Sequence, residues 1–231
     1  MPGLTARKIK FATIADVQER LGHVPESRIL SFPAPGTATA LDLLDNSITN
    51  GRSCELVDGI LVEKAMGLRS DYIAAWIGYL IAAFLEQNNL GAVFGSQGPV
   101  RLKLNLVRLP DVFFIRWDSV EDTDEIENPV GAFLETAPDL VVGVLSPGNT
   151  RKEMETKLKE YARAKVELVW YVDPERNEVD VYPKGSAKRK KTLGLDDTLD
   201  GGEVLPGFIL PVAKIFKKRA PAKKPEKKGK K

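Results

Sequence analysis

The sequence predicts an α/β (α+β) protein built around a central sheet, and three observations carry that prediction. There is a strong hairpin signal at Asp58-Gly59. A long apolar helix follows it. A second, capped helix stands between strand-like runs. The order is therefore hairpin, long helix, strands, helix, strands, with helices alternating among strands of mixed spacing.

The elements follow in order. "TIADVQERLG" (Thr13 to Gly22) reads as a short capped helix ended by glycine. In "FPAPGTATALDLLDN", Pro33, Pro35 and Gly36 break the chain, and Thr37 or Thr39 is expected to cap a short helix with Leu41, Leu43 and Leu44. The hairpin "CELVDGILVEK" carries alternating apolar residues around its turn. In "SDYIAAWIGYLIAAFLEQNNLG", Ser70 is expected to cap, Ile73, Ile77, Leu80, Ile81 and Phe84 recur at helical spacing, and Gly91 is expected to stop the helix. "AVFGSQGPVRLKL" and "LVRLPDVFFIRW" read as two strand runs. A charged loop, residues 118–128, precedes a buried strand in "PDLVVGVLSPGNT". The box Thr150-x-x-Glu153 then opens the helix ending at Ala164. A second hairpin follows, with Asp173-Pro174 and Asn177 in its turn. Short extended pieces broken by Gly and Pro close the domain.

Composition bounds what this chain can do. It has 231 residues, 43% hydrophobic and 29% charged, enough for one sizeable core. One cysteine, Cys54, rules out an intramolecular disulfide framework and suits a reducing, cytoplasmic setting. One histidine, His23, in the turn "GHVPES", leaves no His/Cys zinc cluster within the chain and reads as a surface loop residue rather than a triad base. The longest uncharged apolar run, Tyr72 to Leu85, is 14 residues, which suits a core helix and not a membrane span. The net charge of +2 hides an asymmetry. Lys214 to Lys231 holds 10 Lys/Arg and one Glu, and the remainder is net −7. Residues 217–231 are expected to be a disordered basic tail suited to nucleic-acid phosphate, with a plain solubilising role as the alternative. The organisation expected is an arm over 1–36, a domain over 37–216 and this tail.

Three charged residues stand out by position. Asp111 follows Pro110 inside an apolar strand, where a carboxylate is costly unless paired or metal-bound; a strand-end role is the alternative. Lys157 lies at the edge of its helix's buried face, near Met154, Leu158 and Tyr161. It could stabilise charge at a phosphate or simply pair with Glu153. Glu55 opens the first hairpin as an ordinary strand-end glutamate. Carboxylates that ligate Mg²⁺, with a lysine beside them, are the residue types of metal-assisted attack on phosphorus.

"ELVDGILVEKAMG", "NLGAVFG", "VRLPDVFFI", "PDLVVGVLSPGNT", "KLKEYARAKVELVWYVDP" and "DDTLDGGEVLPGF" stand in this order over roughly residues 37 to 216. Together they make the chain resemble the Uma-type restriction endonuclease family of the PD-(D/E)XK nuclease superfamily. The resemblance implies a restriction-endonuclease-like mixed sheet flanked by helices. It also implies Mg²⁺- or Mn²⁺-dependent cleavage of DNA, and homodimeric assembly with no membrane partner. By the same resemblance Lys157, Asp111 and Glu55 are the catalytic residues, with Lys157 the lysine and Asp111 together with Glu55, the acidic residue of the hairpin, the metal ligands.

One position departs from the pattern. Gly143 stands where the family's strand carries its second metal-ligating glutamate. On strand parity Asp139 shares that face but lies about 13 Å along it, and Ser146 has the wrong parity. Three readings follow: a weakened endonuclease, a degenerate nuclease-fold protein that binds DNA or a protein partner without cleavage, and a purely structural descendant. A strand glycine can also mark a bulge.

Overall fold

The structure is a computed structural model and describes residues 10–127 and 131–216. The predicted tail, 217–231, lies outside the described residues. In chain order the elements are α1 (Ile14–Leu21), α2 (Asn46–Thr49), β1 (Cys54–Val57), β2 (Ile60–Glu63), α3 (Leu68–Leu85), β3 (Gly91–Phe94), β4 (Val100–Lys103), β5 (Leu106–Arg108), β6 (Val112–Arg116), α4 (Asp124–Glu127), β7 (Leu140–Val144), α5 (Arg151–Arg163), β8 (Leu168–Asp173), β9 (Glu178–Pro183), β10 (Lys191–Leu193), β11 (Thr198–Asp200), β12 (Ile209–Pro211) and α6 (Val212–Phe216).

The strands divide into a six-stranded sheet, β10-β9-β8-β7-β6-β3, a four-stranded sheet, β2-β1-β5-β4, and the small pair β11-β12. The larger sheet is mixed, because β7 and β8 run parallel while its other pairings are antiparallel. The first hairpin therefore builds its own sheet rather than joining the central one.

Strand parity sets the layers. Val112, Phe114, Leu140, Val142 and Trp170 face α3 through Ile73, Ala74, Ile77 and Ile81. Phe113, Val141, Val169 and Tyr171 face α5 through Leu158 and Tyr161. By length and composition α3, at 18 residues, is apolar enough to cross a membrane. It outruns the 14-residue uncharged stretch because Leu68–Asp71 join the helix. Its buried side is part of this core.

Several local expectations hold. Thr13 and Thr150 each form a capping box, and Gly22 ends α1 at φ 74°. Asp58 and Gly59 turn β1 into β2 with φ of 50° and 80°, the doubly left-handed turn that matches strand twist. A side chain at Gly59 would also strike the Gly36 backbone at 2.5 Å.

Others differ. Gly67, not Ser70, is the N-cap of α3; Ser70 sits one turn in, and its hydroxyl donates to the Gly67 carbonyl at 2.8 Å. The helix ends at Leu85, and Gly91 opens β3 instead of stopping it. The two long strand runs become four strands. Leu41–Leu43 is one 3₁₀ turn with no side-chain cap: Thr39 donates to Asp42 rather than capping.

Candidate active site

Proline has no N–H to give a ladder, so β6 starts only beyond Pro110, and Asp111 occupies the step between. Its N–H donates to the Val142 carbonyl at 3.1 Å. Its Oδ2 accepts the Val144 N–H at 2.6 Å. A side chain thus continues the β7 ladder where the backbone has turned away. The other oxygen, Oδ1, faces the Lys64 ammonium at 2.8 Å. Lys64 is 9% exposed and also donates to the Pro110 carbonyl at 3.4 Å. Its own N–H is fixed to the Ser53 carbonyl at 2.8 Å. Sequence reasoning missed Lys64. The available signal was a lysine directly after the strand Ile60–Glu63, but its partner lies 47 positions on.

Gly143 is in register. Val142, Gly143 and Val144 pair with Trp170, Tyr171 and Val172 without a break, so there is no bulge. A Cβ here would lie 3.2 and 3.3 Å from the Tyr171 ring and 3.7 Å from the Met154 methyl. The Tyr171 hydroxyl is tied to the Met154 carbonyl at 3.1 Å. The space beside the glycine is thus taken by an anchored aromatic ring.

Helix α5 carries two adjacent buried stripes. Met154, Leu158 and Tyr161 pack on the larger sheet. Glu153, Lys157 and Glu160, each one position away, are buried as well. This charged stripe joins a row of alternating sign: Arg28–Glu153 at 2.8 Å, Glu153–Lys157 at 3.3 Å, Lys157–Glu55 at 2.9 Å, Glu55–Arg108 at 2.8 Å, Arg108–Glu160 at 2.5 Å, Glu160–Arg20 at 3.0 Å and Arg20–Asp58 at 2.5 Å. Four cations meet four carboxylates. The structure therefore brings Lys157 and Glu55 into direct contact, deep inside the row. Glu55 Oε1 also accepts the Leu109 N–H at 3.2 Å. Arg108 was not singled out from sequence, although an arginine in the apolar run "LVRLPD" was its signal.

The row holds its acids charged. Burial pushes the Glu55 carboxyl up, but Lys157 and Arg108 outweigh it and hold it down to about 2. For Glu153 burial is likewise overcome, by the Arg28 hydrogen bond and the Lys157 charge, again to about 2. Burial opposes the Arg108 charge, and Glu160 and Glu55 nonetheless raise its pKa.

Asp111, Gly143, Lys64 and Lys157 line one cavity of about 30 Å³, room for a single water. Glu55 lies behind it. The cavity adjoins a cleft of about 1010 Å³ that shares Asn149, Met154 and Tyr171 with it, and whose charged lining is balanced, Arg69, Arg151, Arg176 and Lys190 against Glu155, Asp173, Glu175 and Asp180. Asp139, the other carboxylate of the right parity, is bound to Arg116 and Ser119 at 2.7–3.0 Å. His23 sits at the surface against Glu19 and Lys152.

These residues do not fit a divalent ion as they stand. Mg²⁺ needs oxygen ligands in near-octahedral array at 2.0–2.1 Å. Both oxygens of Asp111 and both of Glu55 already have partners, and Gly143 adds none. Among the described residues no group of three or more His, Cys, Asp or Glu could hold a metal.

No curated protein matches the chain. The architecture is similar to a crystal structure from Anabaena variabilis described as a "putative nuclease belonging to DUF820", with a TM-score of 0.61 over 71% of this chain and 89% of that one at 16% identity. The mixed sheet flanked by α3 and α5 is thus a restriction-endonuclease-like fold. Residues 39–213 match the Uma2 family model, "Putative restriction endonuclease", and with most of its length matched the chain belongs to that family.

Proposed function

We propose that this protein is a nuclease-type, DNA-directed member of its family that engages DNA in the cleft beside Asp111 but does not itself cleave it. Families of this type generally use divalent metal ions. The observation that carries the proposal is the pairing of the lone cavity carboxylate, Asp111, with the Lys64 ammonium, while the neighbouring strand offers only Gly143. Metal-assisted attack on phosphorus needs a cation held by several oxygens, and here one carboxylate remains, already neutralised. DNA engagement is supported by the match to a family described as "Putative restriction endonuclease", by the size of the cleft adjoining Asp111 and by the 217–231 segment, in which nine of 15 residues are Lys or Arg. A single cysteine, buried, suits a cytoplasmic setting.

The test is a gel-shift and nicking assay on one DNA, with Mg²⁺, with Mn²⁺ and with chelator. The expected result is binding that weakens steeply with salt, unchanged by chelator, and no nicking. Deleting residues 217–231 should weaken binding and flatten its salt dependence. Metal-dependent nicking by the wild type, abolished by Asp111→Asn, would overturn the reading.

A second reading, a weakened Mg²⁺ endonuclease, is favoured by one observation. Asp111, Gly143 and Lys157 do line the same cavity. It predicts that Gly143→Glu raises nicking. That substitution must displace the Tyr171 ring by a few tenths of an ångström.

A further inference from the structure

We infer that Lys64 is the resident cation of this site. Its ammonium stands where a metal ion would have to bind, so the chain holds Asp111 without a divalent ion. The inference deepens the proposed function and rests on that reading only for the identity of the site.

Three observations carry it. The first is charge. Of the side chains lining the small cavity, only Lys64, Lys157 and Asp111 are charged. A divalent cation would therefore find a single carboxylate in this cavity, and that one is already paired. Lys157 is neutralised from behind by Glu55 and Glu153, and Lys64 alone balances Asp111. The local account is one negative group against one positive group, and it closes with no further ion.

The second is geometry. Asp111 Oδ1 already accepts from the Lys64 ammonium at 2.8 Å. Oδ2 is committed to the Val144 N–H at 2.6 Å. The third potential oxygen donor in the cavity wall, Asn149 Oδ1, already accepts from the Ser146 N–H at 3.0 Å and the Ser146 hydroxyl at 3.2 Å. A cavity with room for one water cannot hold a hydrated Mg²⁺ as well as the ammonium.

The third is rigidity. Lys64 is not a surface lysine that happens to fold inward. Its backbone extends the β1–β2 ladder through the Ser53 carbonyl. The residue before it is clamped by Arg28 Nε, which donates to the Glu63 carbonyl at 2.8 Å. The ammonium also has a second acceptor, the Pro110 carbonyl. A buried cation with fixed acceptors is a built part of the site.

The test is Mn²⁺ binding to the full chain, read by electron paramagnetic resonance of the free ion and by calorimetry. Wild type is expected to show no saturable binding through the millimolar range. Lys64→Met keeps the length of the stem and removes the charge. Lys64→Met with Gly143→Glu is expected to bind one Mn²⁺ per chain at least about tenfold more tightly than wild type. Adding Asp111→Asn should abolish that binding. Saturable one-to-one binding by wild type that disappears in Asp111→Asn overturns the inference. So does a Lys64→Met/Gly143→Glu protein that is folded by circular dichroism and binds no better than wild type. If that variant does not fold, wild type against Asp111→Asn decides alone. DNA binding in chelator, run in parallel, fails only if the functional reading fails, so the two are separable.

Discussion

Two ion-pair systems meet at the wall of the small cavity. On the α5 side, eight residues form a row in which each interior member touches two of opposite sign, and its central members, Glu55, Arg108 and Glu160, are 1–5% exposed. On the β2 side, Lys64 and Asp111 form a single pair with side chains 9% and 21% exposed. The same residue types serve both. What separates them is how many partners each charge has and how much water reaches it. Glu55 is held by two buried cations, Lys157 and Arg108, and by the Leu109 N–H, whereas Asp111 is held by one side-chain cation and the Val144 N–H. By this measure Glu55 is architecture, although it touches Lys157. Asp111 is the one carboxylate whose surroundings a substitution can reopen.

The contrast can be broken by measured stabilities, taken from the largest expected effect. Arg108→Met removes a partner from both Glu55 and Glu160 and leaves buried charge uncompensated; a loss of about 3–5 kcal/mol is expected by urea denaturation. A loss below about 1 kcal/mol would mean the row does not act as a unit.

Acid probes the same row. Glu55 and Glu153 take up protons near 4.5 when unfolded but only near 2 when folded. Their stabilisation is therefore present above pH 4.5 and is lost as pH falls toward 2, on the order of 3 kcal/mol for each group. Glu55→Gln should flatten that slope in a pH series of denaturation midpoints, and an unchanged slope would assign acid sensitivity elsewhere.

Lys64→Met should cost less, about 1–3 kcal/mol, because Asp111 keeps the Val144 N–H and some solvent. If it costs more than Arg108→Met, the ranking of the two systems is reversed. Gly143→Ala asks only for a small ring shift and should stay within about 1 kcal/mol by thermal melting. Arg151→Ala, at a pair with Glu155 whose arginine is 92% exposed, should change stability by less than about 0.5 kcal/mol.

How much of this was legible follows from the range of each interaction. Caps and turns are local, so Thr13, Thr150, Asp58-Gly59 and Asn177 announced themselves through residue type and spacing. Asp111 announced itself because a carboxylate after proline in an apolar strand demands a partner. The partner did not, since Lys64 reaches Asp111 across two sheets and nothing in "LVEKAMG" records that distance. The sequence marked Lys157 as half-buried, but its sealing depends on Glu55 and Arg108 arriving from other strands. Ser70 misled because its hydroxyl found the Gly67 carbonyl one turn inside the helix. Gly143 was visible as a missing carboxylate, and the Tyr171 ring that fills its place was not.

The residues before the family match bear on how this fold can be inherited. Arg20 and Arg28 supply two of the row's four cations, and both lie upstream of residue 39, where the family match begins. A gene fragment carrying only the matched stretch would encode Glu153 and Glu160 without these counter-charges. Recombination at that boundary would therefore hand on a catalytic-looking core whose interior is anionic by two charges. The residues around Arg20 and Arg28 and the matched stretch are expected to travel through evolution as one heritable unit.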